Sequence, residues 1–148
     1  MSRTEKLPFE STLMVRDCCL CLHMQRAARN LARVFDDALR PLDLTNGQFS
    51  LLMSLNRPHP PAMKDVSSLL AMDRTTLTAA LKPLERRDLV AITQDPDDKR
   101  SRLLSLTPAG HRLLATAFPV WQQAHTEIEK PFSAGEVDRL RDQLRALS

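Results

Sequence analysis

The chain contains no tyrosine, a single tryptophan and only three glycines in 148 residues. It has no glycine-rich phosphate loop, and no nucleophile stands beside a partnered base. Enzyme chemistry therefore has no foothold, and no cofactor is expected. No apolar run approaches the length needed to span a bilayer. The stretch Met1–Phe9 carries charge without an apolar core behind it, which speaks against a signal peptide. A cytoplasmic protein with no membrane partner is the expectation. The three cysteines are crowded at Cys18, Cys19 and Cys21, an odd set that makes no secreted disulfide framework. Internal repeats and low-complexity segments are absent.

What is there is ordinary for a single globular domain: 43% hydrophobic and 26% charged residues, enough to bury a real core. A net charge of +3 and a pI near 9.0 permit a nucleic-acid partner without requiring one. The position of the charge has to decide.

Residues 1–10 read as a loose arm. Over 12–40 the apolar positions Leu20, Met24, Ala27, Leu31, Val34 and Ala38 step by four and three, the period of one helix face, until Pro41 stops it. Thr45 and Gln48 form a capping box that opens a helix with Phe49, Leu52 and Met53 inward. Pro58, Pro60 and Pro61 make a stiff connector that suits neither helix nor strand interior. After residue 106, Thr107-Pro108 starts a helix running to about Lys130 and bent near Pro119. Ser133 and Glu136 form a second capping box, opening a last helix striped by Val137, Leu140, Leu144 and Leu147.

The centre of the chain carries the most information. A short helix (63–70), a tight break at Ala71-Met72-Asp73 and a second helix (74–87) are followed by two short strands, 89–93 and 102–106. That order is a winged helix-turn-helix. Asp73 caps the second helix by accepting the amide of Thr75 or Thr76, and Leu77, Leu81 and Leu84 form its buried stripe. The opposite face carries Arg74, Thr75, Thr76, Thr78, Ala79, Lys82 and Arg86. Short hydroxyls at a helix's leading end suit the major groove, and a Thr methyl packs on a thymine methyl. Arg74 and Lys82 neutralise phosphates, or Arg74 forks onto a guanine. At the charged tip between the strands, Arg100, beside Lys99, enters the minor groove while Asp98 orients it through a carboxylate pair. Pro83 inside the helix implies a local bend. The fold class is therefore mainly α with a small β wing: a DNA-binding lobe over 45–107 with dimerisation helices over 12–40 and 108–148. The apolar stripes of those flanking helices exceed what a helix-turn-helix needs, and they pair two chains to match a two-fold operator.

The runs LTNGQFSLL (44–52), MDRTTLTAALKPLERRDLV (72–90) and DPDDKRSRLLSLTPAG (95–110) together resemble the MarR family of bacterial transcription regulators. Its marks are the wing pair Asp98 and Arg100 and the ending Leu106-Thr107-Pro-Ala-Gly110. The resemblance implies a triangular homodimer with interlocked terminal helices and two winged helices on a pseudo-palindromic double-stranded operator. It also implies repression relieved by a small ligand, often an anionic aromatic, bound between the dimer helices and the DNA-reading lobe. The chain departs from the family at Asp88, where Gly is common before the first wing strand, and at Ala79, where a basic residue is frequent. An Asp in a left-handed turn is strained where Gly is not.

For the inducer, the residues singled out are His23, Arg26, Phe49 and Met53: a basic residue beside an apolar cleft suits an anionic aromatic. Cys21 resembles the sensing thiol of the family's peroxide-responsive branch. The phenol partners of that branch are missing, since Gln25 and Phe35 stand in the matching places. A reactive thiol needs a nearby cation, which Arg16 or Arg26 supplies and Asp17 opposes. On a continuous helix Cys18 and Cys21 share a face while His23 points elsewhere. Zinc would then need ligands from a partner helix such as His125, and no metal is expected. A thiol-based sensor using Cys21, or a winged helix serving only as a protein-interaction module, stands as the alternative.

Overall fold

The computed structural model describes residues 6–148. The chain divides into two compact units, one ending at Val34 and the other running from Phe35 to Ser148.

In the first unit α1 (Phe9–Cys18) is followed by α2 (Leu20–Leu39), whose last residues pass into the second. The single helix expected over 12–40 is therefore two. Cys19 between them is extended, at φ −71° and ψ 109°. Its sulfur accepts the Leu22 amide at 3.5 Å and its carbonyl accepts from His23 Nδ1 at 2.8 Å, so the cysteine itself organises the first turn of α2. The break corrects the zinc geometry too: Cys18 ends one helix and Cys21 begins another, so the shared-face argument lapses. The expected arm is shorter at its far end, with helix from Phe9, while residues 1–5 lie outside the described residues.

The second unit holds the core. After a 3-10 turn at Arg40–Leu42 come α3 (Asn46–Ser54), α4 (Met63–Leu69), α5 (Arg74–Arg86), strands β1 (Val90–Gln94) and β2 (Arg102–Leu106), α6 (Pro108–Glu129) and α7 (Ala134–Ala146). Leu39, Leu51, Leu52, Val66, Leu77, Leu81, Leu84 and Leu104 are fully buried at its centre. Both capping boxes form: Thr45 Oγ1 accepts the Gln48 amide at 3.1 Å and Gln48 Oε1 accepts the Thr45 amide at 3.0 Å, and Ser133 and Glu136 make the same pair. The strands pair antiparallel with Val90 opposite Leu106 and Gln94 opposite Arg102. The proline connector docks on them. Pro61, which has no N–H to give, offers its carbonyl to the Leu104 amide at 2.9 Å, and Ala62 bridges to Leu103. α5 runs through Pro83 and α6 through Pro119, each helix losing one internal donor there.

The shortage of glycine is visible at the helix stops. After the 3-10 turn, after α4 and after α5, the chain turns through a left-handed residue: Asp43 (φ 54°), Ala71 (φ 52°) and Asp88 (φ 56°). Each is followed by an amide that reaches five residues back: Leu44 to the Leu39 carbonyl, Met72 to Ser67 and Leu89 to Leu84. These are Schellman turns, whose left-handed position normally belongs to glycine. The strain expected at Asp88 recurs at two further sites.

Candidate nucleic-acid interface

α5 is positioned by its own leucines. Leu77, Leu81 and Leu84 are wholly buried, which fixes the rotation of the helix and turns the opposite side outward. Arg74, Thr75, Thr76, Thr78, Ala79, Lys82 and Arg86 are all exposed. Asp73 caps the helix as expected: Oδ1 accepts the Thr76 amide at 2.7 Å and Oδ2 accepts the Thr76 hydroxyl at 2.9 Å. The amide bond first, then the hydroxyl, holds the Asp73 carboxyl below the usual carboxylate range.

The three threonines are therefore unequal. Thr76 donates its hydroxyl proton to Asp73, and Thr78 donates its own to the Arg74 carbonyl at 2.8 Å. Thr75 is the one of the three whose hydroxyl has no protein partner among the described residues. Sequence spacing treats the three alike, because the preference of one hydroxyl for its own helix is a matter of rotamer.

At the wing tip Asp98, Lys99 and Arg100 are exposed. Asp98 Oδ1 accepts the Arg100 backbone amide at 3.0 Å, and Asp98 makes no ion pair with the Arg100 guanidinium. The expected carboxylate pair is thus corrected. An amide two residues on is the nearer donor, and the carboxylate shapes the turn instead. The Ser101 amide closes that turn onto the Asp98 carbonyl at 2.9 Å, and the Arg100 guanidinium has no side-chain partner among the described residues.

A hollow of about 500 Å³ separates the wing from the helix pair; Lys64, Ser68 and Arg102 line it together with Arg74, Asp98 and Arg100. The patterning of the sequence did not single out Lys64, Ser68 or Arg102. For Arg102 the signal was its place opposite Gln94, the strand pair next to the charged wing tip.

The four residues singled out for an inducer divide between two hollows. Phe49 and Met53 line a cavity of about 370 Å³ with Ser50, Ser54, Leu69, Leu70, Phe118 and Trp121. Trp121 stacks on Phe49 at 6.0 Å, on Phe35 at 6.3 Å and on His125 at 4.8 Å between ring centroids. His23 and Arg26 line a separate groove along α2 with Arg29, Asn30 and Arg33. His23 and Arg26 belong to the first unit and Phe49 and Met53 to the second, and each pair lines a hollow of its own unit. Phe118 and Trp121 were missed, being distant in sequence from Phe49. Cys21 is exposed in the first turn of α2, and of the two cations expected beside it, Arg16 is paired with Asp17 at 2.7 Å while Arg26 lines the groove along α2. No group of three or more His, Cys, Asp or Glu side chains suited to a metal gathers among the described residues. No helix among them is long and apolar enough to cross a membrane.

Residues 44–101 match the model of the MarR family. The multiple antibiotic resistance protein MarR of Escherichia coli K12 is 30% identical over 120 residues, 80% of this chain and 82% of that protein. Among solved structures, the Mycobacterium tuberculosis transcriptional regulator MOSR in complex with DNA superposes with a TM-score of 0.79 at 34% identity. That match covers 87% of this chain and 92% of the other. BpsR of Bordetella bronchiseptica, whose DNA binding is regulated by 6-hydroxynicotinic acid, gives a TM-score of 0.77 at 26% identity over 86% and 97% of the two chains. With its exposed helix face beside a two-stranded wing, the chain belongs to the MarR family of winged helix-turn-helix, DNA-binding transcriptional regulators.

Proposed function

We propose that the protein is a homodimeric repressor that holds a pseudo-palindromic operator and lets it go when a small aromatic ligand binds. The observation that carries this reading is the exposed polar face of α5 opposite its fully buried leucines, with the free guanidinium of Arg100 on the adjacent wing. α5 enters the major groove. Thr75, its hydroxyl uncommitted, meets a base edge or a phosphate there, while Thr78 and Ala79 offer methyls to a thymine. Lys82 and Arg86 neutralise phosphates, and Arg100 reaches into the neighbouring minor groove with Lys99 beside it. Asp98 and Thr76 act through the backbone, holding the tip and the helix start in shape.

Residues 45–107 form the DNA-reading lobe in this proposal, and the terminal helices join two copies. Its support is apolar surface: Leu20, Leu31 and Val34 on α2, Leu140 and Leu144 on α7 and Leu147 just after it are all at least 38% exposed. Side chains of that kind gain about 25 cal/mol per Å² on burial. The ligand's ring occupies the cavity floored by Phe49 and Trp121, whose size suits one or two fused rings. That a relative is regulated by 6-hydroxynicotinic acid supports an aromatic effector.

The test is selection of bound duplexes from a random pool. The expected result is an inverted repeat with half-site centres about one helical turn apart. Arg100→Ala weakens binding to that operator by about 1–3 kcal/mol. Failure to enrich any duplex, with no salt-dependent binding, would return the winged helix to a protein-interaction role.

A further inference from the structure

The hollow between the helix-turn-helix and the wing carries an excess of positive charge. Lys64 comes from α4, Arg74 from the start of α5, Arg100 from the wing tip and Arg102 from the start of β2, and Asp98 is the one carboxylate among its lining residues. None of the four cations makes an ion pair among the described residues, whereas Arg16, Arg40, Arg87, Arg141, Arg145 and Lys130 all find carboxylates. Arg102 reaches only the Lys99 carbonyl, at 3.4 Å. A concave site in which four cations outnumber one carboxylate presents a net positive field to whatever anion enters. Three serines, Ser67, Ser68 and Ser101, border the same hollow. Ser67 spends its proton on the Met72 carbonyl, and the hydroxyl of the exposed Ser68 has no partner among the described residues.

We propose that this hollow seats a backbone phosphodiester of the operator, gripped jointly by Lys64, Arg74 and Arg102, with the Ser68 hydroxyl donating to a phosphate oxygen. The proposal rests on the reading of α5 as a major-groove helix and the wing as a minor-groove arm. The two grooves of a duplex are separated by a sugar–phosphate strand. A protein with a helix in one groove and a wing in the next straddles that strand, and the hollow lies where the strand has to pass. Lys64 and Arg102 therefore fix the protein's register on the duplex and carry no sequence information.

The test measures operator and scrambled-duplex affinity by fluorescence anisotropy across a salt series for Lys64→Gln, Arg102→Gln and the double variant. Each single change should flatten the slope of log affinity against log salt by about 0.9, the value for one lost phosphate contact. Operator and scrambled duplex should weaken by the same factor, and the charge-keeping pair Lys64→Arg and Arg102→Lys should restore the slope. In a second arm, single methylphosphonates are placed along the operator. One position per half-site should cost the wild type affinity and leave the double variant indifferent. Unchanged slopes in the glutamine variants, or slopes that the charge-keeping pair fails to restore, overturn the proposal. So does a result in which inorganic phosphate stabilises the wild type to heat more than the double variant while their DNA slopes agree, for that would make the hollow a small-anion site. If the wild type binds and Arg100→Ala weakens it while Lys64→Gln and Arg102→Gln do not, this inference falls alone. If the wild type shows no salt-dependent duplex binding, both readings fall.

Discussion

Replacing Gly110 by Ala should destabilise the protein, although alanine is the better helix former. Gly110 sits in the first turn of α6, where a Cβ would lie 2.1 Å from the Leu89 carbonyl oxygen and 3.1 Å from its carbon. Backbone cannot swing aside as a side-chain tip does. The same carbonyl accepts the Thr107 amide at 3.1 Å, and the Thr107 hydroxyl both donates to the Asp88 carbonyl and accepts the Gly110 amide at 3.0 Å. A methyl group therefore pushes apart the point where the end of α5, the start of β1 and the start of α6 are tied together. Alanine gains about 1 kcal/mol over glycine in a helix. Overpacking against a fixed group costs about 1–3 kcal/mol, and loss of the Thr107–Leu89 bond about 1 more. The net loss is about 1–3 kcal/mol; at 2 kcal/mol, thermal unfolding falls by about 4–8 °C for a chain of this size. Gly135 is the control, since a Cβ there meets nothing within 4 Å. Gly135→Ala should hold or raise stability, by up to about 1 kcal/mol. Urea and thermal melts followed by circular dichroism decide it. A Gly110→Ala protein as stable as Gly135→Ala would refute the steric argument.

Ala71 offers the opposite change. Its φ of 52° belongs to glycine, and Ala71→Gly should raise stability by about 0.5–1 kcal/mol, the relieved strain less the added freedom of the unfolded chain. A urea midpoint at or below the wild-type value would count against it. His125 gives a pH dependence. Burial first, and then Arg141, hold its imidazole below the ordinary value of 6.5. Glu129 lies 3.3 Å from Nδ1 and would act the other way, but its charge is taken up by Arg141. With the folded value lowered, the unfolded chain binds the proton more readily. Stability is then complete above about pH 6.5 and declines as pH falls through the folded value. Melts between pH 7 and 5 should show this decline in the wild type and a shallower one in His125→Gln; parallel curves would contradict it.

What the sequence determined by itself is whatever is written within a few residues. The four-and-three spacing of Leu77, Leu81 and Leu84 sets the rotation of α5. The residues that cap α3, α5, α6 and α7 stand within three positions of the amides they satisfy. Their physics is local, so spacing and side-chain type suffice. The break at Cys19 escaped this reading because neither proline nor glycine marks it. The role of Asp98 escaped it as well, since one carboxylate has both an amide and a guanidinium within reach and only geometry chooses.

Tertiary structure alone decided which distant residues share a hollow. Phe49 meets Phe118 and Trp121 because α3 and α6 pack on one core, about seventy residues apart in sequence. Lys64 reaches Arg102 because the connector before it is bonded to β2 through the Pro61 carbonyl and Ala62. Such meetings depend on where several elements come to rest together once their apolar faces are buried. No window of sequence holds that sum, which is why the reading helix was legible beforehand and the charged hollow beside it was not.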